Sequence, residues 1–153
     1  MDIHPLSHLD LDAVRALIAA SVRASVVQTE KDAQFILRHV DEALAFSTRS
    51  PADCMHLGSW VNARLAGVIL VKKHWNLTNL FVHPEFQRRG VGRALVHAVL
   101  PACRVESPKG KLMVNSSTVA VPFYRALGFV QTGPGLDRPG GCVPLELVFA
   151  RPP

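Results

Sequence analysis

The stretch that most restricts this chain is FVHPEFQRRGVGRAL, residues 81–95. An apolar run ends at Val82, Pro84 closes it, and two arginines stand directly before Gly90-Val91-Gly92. From Val91 onward Ala94, Leu95, Ala98 and Val99 recur at helical spacing, so the glycines open a helix. The first N–H groups of a helix have no partner inside it, and its dipole puts partial positive charge at that end. Glycines there let a ligand approach the backbone without meeting a Cβ. Gln87, Arg88, Arg89 and Arg93 surround them, and the arginines bring charge-assisted donors. The segment predicts a strand–loop–helix unit able to hold an anion. It is neither the phosphate-loop pattern G-x-x-x-x-G-K-[ST] nor the dinucleotide fingerprint, whose third glycine falls at Leu95. On this stretch alone, a glycine-rich helix start with solvated arginines explains the residues at least as well.

The flanking pattern gives the unit a setting. A short strand is expected over Ile3–Leu6, and Asp10 caps a helix with Leu11, Val14, Leu17, Ile18 and Val22 on one face. Thr29-Glu30-Lys31-Asp32 opens a second helix, striped by Ala33, Ile36, Val40, Ala43 and Leu44 and ended by Ser50-Pro51. Strands follow over 54–60, 65–71 and 76–82, then the helix over 91–100 and a strand at KLMVNS. A short helix in VAVPFYRAL is closed by Gly128, and FVQT and CVPLELVFA are two more strands. TGPGLDRPGG, residues 132–141, is a loop between them rather than a linker. This order implies a mixed α/β sheet with helices on its faces, formed by residues 1–153 as one domain.

Composition narrows the partner. The formal charge of +5 and pI near 9.6 favour something anionic. Basic residues are scattered, however, and aromatics that could stack on bases do not interleave with them, so a long nucleic acid is disfavoured. The longest apolar run, Leu65–Val71, is too short for a membrane span. The acidic start MDIHPLSHLDLD does not read as a signal peptide. Three cysteines, an odd number in apolar surroundings, suggest free thiols in a reducing compartment, and a cytoplasmic protein is expected. The histidines show no metal-ligand spacing, and no metal is expected.

A second stretch adds what the first lacks. VNSSTVAVPFYRALGF, residues 114–129, puts Asn115 at a strand end and Tyr124, the only tyrosine, on a short helix. Together the two stretches resemble the GNAT superfamily of acyl-CoA-dependent N-acetyltransferases. Val82-His83-Pro84 with Gln87-Arg88-Arg89-Gly90-Val91-Gly92 is similar to the family's acyl-CoA motif. Asn115 and Phe123-Tyr124-Arg125-Ala126-Leu127-Gly128-Phe129 are similar to its later strand–Asn–helix motif.

The resemblance implies a mixed α/β (α+β), mostly antiparallel sheet of about seven strands, splayed between the fourth (76–82) and fifth (111–116), with helices on both faces. It implies acetyl-CoA as cosubstrate, with pantetheine beside Leu80, Phe81 and Val82 and the pyrophosphate on residues 88–93. Tyr124 would lie beside the thioester sulfur and protonate the departing thiolate. Asn115 would bind the cofactor or an ordered water, although a turn-forming asparagine is an equal alternative. The acceptor would be an amine, carried by a small molecule or by a peptide or protein, and a homodimer stays open. Many relatives carry a glutamate on the fourth strand. Here Asn76–Val82 contains no carboxylate, His83 and Glu85 sit beside the strand end, and no general base is assigned. Transfer to a hydroxyl, transfer of a longer acyl chain, and an acyl-CoA-binding module without turnover are the rival readings.

Overall fold

The computed structural model describes residues 1–150; the last three residues of the domain expected over 1–153 lie outside that description. Its strands are β1 (Asp2–Pro5), β2 (Cys54–Val61), β3 (Arg64–Lys72), β4 (Asn76–Val82), β5 (Lys111–Ser116), β6 (Val130–Gln131) and β7 (Val143–Val148). Its α-helices are α1 (Leu11–Ser21), α2 (Glu30–Arg49), α3 (Val91–Glu106) and α4 (Val121–Ala126). Among the described residues the strands form one seven-stranded sheet, in the order β1-β2-β3-β4-β5-β7-β6. Every neighbouring pair is antiparallel except β4–β5.

That exception creates the site. β4 and β5 pair only at Asn76–Met113 and Leu77–Val114, and then diverge. The β5-facing edge of the rest of β4 therefore has no strand partner. On its other side β4 carries a bulge: Leu70 faces Asn79 and Val71 faces Leu77, which leaves Thr78 as the extra residue. The Thr78 hydroxyl donates to the Leu70 carbonyl (3.3 Å) across it.

Side chains on the two faces of the sheet meet different helices. Val68 joins Val14, Ile18, Val22, Val40 and Leu44 under α1 and α2, with Phe81 packed against them. Ile69, Val71 and Leu77 join Leu95, Val96, Val99 and Cys103 under α3, with Leu80 and Val82 alongside. Asn79, two residues before Phe81, shares its face toward α1 and α2. Gly67 sets the approach of α3, because a Cβ there would lie 2.7 Å from Val91 Cγ1 in the first turn. Removing that carbon lets the helix start rest on β3.

Local chemistry accounts for where sequence and structure part. Thr29 caps α2 as expected, accepting from the Asp32 N–H (3.2 Å). Asp10 does not cap α1. Its carboxylate accepts from the Ser7 N–H (2.8 Å), completing a capping box for the short turn His8–Asp10 that runs into the helix. α3 continues past the expected end at Leu100 to Glu106, because Pro101 lies on the exposed face while Cys103 extends the buried stripe. The lost Pro101 N–H bond costs less than that stripe gains. α1 runs into one wider turn, Val22–Val26, and the FVQT strand shortens to Val130–Gln131.

His56 on β2 gives the fold an acid sensitivity. Burial lowers its pKa from 6.5 to about 4, Asp10 works weakly the other way, and its Nε2 is buried without a partner. The unfolded chain then binds the proton more tightly than the folded one. Stability is complete above about pH 6.5 and falls as the pH drops toward 4, by up to about 3 kcal/mol. Urea unfolding of His56→Gln between pH 7 and pH 4.5 should show a flatter dependence than the wild type.

Candidate active site

The loop from β4 to α3 is held from within. The His83 Nδ1 accepts from the Glu85 N–H (3.1 Å), and the ring meets Phe86 edge-on at 6.0 Å. His83 therefore braces the turn Pro84–Phe86, and it lies on neither cavity wall described below. Glu85 pairs with Arg64 (2.7 Å), whose hydrogen bond and charge hold its carboxyl below the usual range. Gln87 donates to the Val82 carbonyl (3.2 Å) and to Ser25 (3.2 Å). This side chain ties the loop to β4 and to the wider turn after α1.

Backbone conformation then shapes an anion cradle. Arg88 has φ +62° and Gly90 φ +80°, left-handed values in the turn that leads into α3. The first bond into α3 runs from the Ala94 N–H to the Gly90 carbonyl (3.0 Å). The N–H groups of Val91, Gly92 and Arg93 precede it and are left for a ligand. Arg88, Arg89 and Arg93 are exposed and have no carboxylate partner among the described residues. Arg88 and Arg93 line the cleft, whereas the Arg89 guanidinium lies 5.6 Å over the Phe86 ring.

The cleft occupies the splay and measures about 600 Å³. Leu80, Phe81 and Val82 form one wall with Gln87, Val91 and Gly92; Phe123, Tyr124 and Leu127 form the other. A Cβ on Gly92 would come within 3.3 Å of the Phe123 ring and 3.6 Å of Val82 Cγ2, so glycine keeps the two walls apart. Such a volume suits a large cosubstrate.

A second cavity of about 380 Å³ lies between α2, β4, the end of β5 and the loop at 138–142. It shares Val26, Leu80, Phe81, Ser117, Ala120 and Tyr124 with the cleft. Tyr124 thus stands where the two spaces meet. Its ring is 4% exposed and edge-on to Phe123 (5.1 Å) and Phe129 (5.3 Å). Burial pushes the phenol well above its ordinary value, so it keeps its proton at neutral pH. Asn115 is exposed on β5 opposite Pro144 and lines the second cavity, not the cleft.

Two further residues belong to the second cavity. Asn79 is 3% exposed and lines the wall, and its Nδ2, closed off from solvent, has no hydrogen-bond partner among the described residues. Its signal in the sequence was a polar residue in a buried strand. His39 on α2, exposed on the helix, had no such signal. Its Nδ1 lies 2.9 Å from the Phe35 carbonyl, which can only accept, so Nδ1 is the donor. Cys142 also borders this cavity; Cys103 is fully buried and pushed up to about 11, an inert thiol.

A sheet parted between its parallel strands β4 and β5, with a glycine–arginine cradle at the mouth of the gap, is the architecture of the GNAT acetyltransferases. The chain belongs to that family: the profile of the Acetyltransferase (GNAT) domain matches residues 21–143. It is similar to the uncharacterized N-acetyltransferase YafP of Escherichia coli (strain K12), 39% identical over 69 residues. That match spans 45% of this chain and 41% of the relative. Among solved structures it is similar to the GCN5-related N-acetyltransferase from Rhodopseudomonas palustris, with TM-score 0.79, 18% identity, and 97% and 95% of the two chains covered. It is similar also to the PaiA N-acetyltransferase from Thermoplasma acidophilum, solved in complex with coenzyme A, with TM-score 0.78, 21% identity, and coverage of 97% and 98%. At these identities the structures establish the shared fold. No helix among the described residues is long and apolar enough to cross a membrane.

Proposed function

We propose that this chain transfers an acetyl group from acetyl-CoA to an amine by direct attack in a ternary complex. The observation that carries the proposal is the placement of Tyr124 at the junction of the two cavities, with the anion cradle at the far end of one. The pyrophosphate rests on the N–H groups of residues 88–93, with Arg88 and Arg93 beside it. Pantetheine runs along the open edge of β4 at Leu80–Val82, in the manner of an added strand. The thioester then reaches Tyr124, and the amine enters from the second cavity.

The amine nitrogen attacks the thioester carbon, and backbone donors near Val82 stabilise the tetrahedral oxyanion. The C–S bond breaks and the electron pair leaves on sulfur, which takes a hydrogen bond from the Tyr124 hydroxyl. The nitrogen gives up one proton to water and the thiolate takes one from water, so the products are the N-acetylated amine and coenzyme A thiol. Asn115 borders the acceptor's space and orients the entering group or a water. A specific observation favours a second reading: β4 offers Asn79 where a carboxylate base would serve, which suits an acyl-CoA-binding module without turnover.

The deciding experiment mixes the protein and acetyl-CoA with a panel of small amines and peptide N-termini and follows free thiol release. Amine-dependent release with stoichiometric N-acetyl product supports the transferase. Bound acetyl-CoA with no release for any amine supports the binding module.

A further inference from the structure

We infer that Gly140 and Gly141 determine the specificity of the second cavity, their backbone fixing the width of the amine that it admits. The inference rests on the acetyl-transfer reading for its occupant and on geometry for the rest. The sheet divides between β4 and β5, and the second cavity lies in the divide. One side carries Val26, from the wider turn after α1, and Ile36, from α2. The other carries Thr118, which opens the short turn Thr118–Ala120 between β5 and α4 and stands between the lining residues Ser117 and Ala120. The late loop touches both sides. Its Gly141 lines the cavity beside Arg138, Pro139 and Cys142.

Each glycine faces one side. A Cβ on Gly140 would lie 2.9 Å from Val26 Cγ1 and 3.1 Å from Ile36 Cδ1. A Cβ on Gly141 would overlap Thr118 Oγ1 and lie 3.1 Å from Thr118 Cβ. The Thr118 N–H also donates to the Gly140 carbonyl (2.8 Å), which fastens the loop to the β5 side. Both residues have left-handed backbone, φ +76° and +81°, a conformation that any side chain strains. The bridge is therefore backbone alone, and it sets how far apart the two sides stand. Gly92 does the reverse at the cofactor end, where the missing side chain keeps two walls from meeting. In a cavity of about 380 Å³ a wall fixed in this way limits the breadth of the occupant. Pockets of fixed shape separate members of a size series by about 10-fold or more for each added methylene.

Cys142, next to Gly141, is half-buried and borders the cavity, so it serves as the probe. The full chain is treated with methyl, benzyl and diphenylmethyl methanethiosulfonate, and labelling is followed by peptide mass spectrometry. Cys54 on β2, on neither cavity wall, is the internal reference. In the wild type the rate at Cys142 relative to Cys54 should fall about 10-fold or more from the methyl to the diphenylmethyl reagent. Gly141→Ala, which cannot keep its place against Thr118, should flatten that fall, while acetyl-CoA still raises Tm as in the wild type. Thr118→Pro reaches the same end by removing the N–H that holds Gly140. Proline suits the first position of the short turn after extended Ser117 (φ −59°, ψ 154°), so this variant keeps the local fold. On amines that prove to be acetylated, either variant should raise kcat/KM for the broadest relative to the narrowest about 10-fold, at unchanged KM for acetyl-CoA. A flat profile in the wild type overturns the inference whether or not the variants fold. So does a wild-type profile in either folded variant, or a flattened one that comes with loss of the acetyl-CoA shift. Because labelling needs no turnover, a protein that grades the reagents but never releases thiol would sink the transfer reading and leave the gauge standing.

Discussion

Gly92→Asp is expected to abolish acetyl-CoA binding while the chain still unfolds cooperatively. Residue 92 sits in the first turn of α3, and its Cβ would point between Phe123 and Val82, into the gap proposed for the cosubstrate. The added carboxylate would also place negative charge beside the N–H groups meant for the pyrophosphate. In the wild type, acetyl-CoA at about 100 times its dissociation constant adds roughly 2.7 kcal/mol to stability. For a domain of this size that is a rise of about 5–10 °C in Tm. The variant should show none of it. The Cβ contacts of 3.3 Å and 3.6 Å are tight but involve side chains, so the unliganded fold should lose little. A Gly92→Asp protein that keeps the full shift would remove the α3 start from the binding site.

Tyr124→Phe should lower kcat by about 10- to 100-fold, some 1.4 to 2.7 kcal/mol of barrier. The coenzyme A thiol resembles a free cysteine with a pKa of about 8.5, so its thiolate is a fair leaving group and needs only modest help. Burial raises the Tyr124 phenol above its ordinary value, which makes complete proton transfer to sulfur uphill. Its contribution is therefore hydrogen-bond donation as the C–S bond breaks, and that places the effect at the lower end of general-acid catalysis. Phenylalanine keeps the edge-on packing with Phe123 and Phe129, so affinity for a non-hydrolysable acetyl-CoA analogue should barely change. Steady-state turnover beside calorimetry separates the outcomes. An unchanged kcat takes Tyr124 out of the mechanism, and lost affinity with normal chemistry makes it a positioning residue.

The sequence carried the elements whose signals are local. The spacing of apolar residues gave α1, α2 and the central strands, and Thr29 marked the start of α2 because capping is decided within one turn. The resemblance carried by residues 82–92 and 115–129 supplied the splay, which no short-range pattern reveals, since β4 and β5 are separated by the whole of α3. Local rules failed where tertiary packing overrode them. The helix was expected to stop at residue 100, yet Cys103 in the core keeps α3 going past Pro101 to Glu106. Asp10 had the residue type of a cap, but Ser7 three positions earlier competed for its carboxylate. The division of labour in the cradle was also hidden. Gln87 lines the cleft and at the same time braces Val82 and Ser25, and the Arg89 guanidinium lies over Phe86. His39 joined the site only through the fold, because its neighbours across the cavity come from β4, β5 and the late loop.

The central claim is that the gap between β4 and β5, closed by the cradle at 88–93, holds coenzyme A. Hydrogen–deuterium exchange of the wild-type chain with and without saturating acetyl-CoA tests it at the residues concerned. The account predicts slowed exchange in the segments 80–82 and 88–93, whose amides gain acceptors, with β1, β2 and β6 unchanged. Millimolar acetyl-CoA that leaves 80–82 and 88–93 exchanging as before, or that protects a different part of the surface, would contradict it.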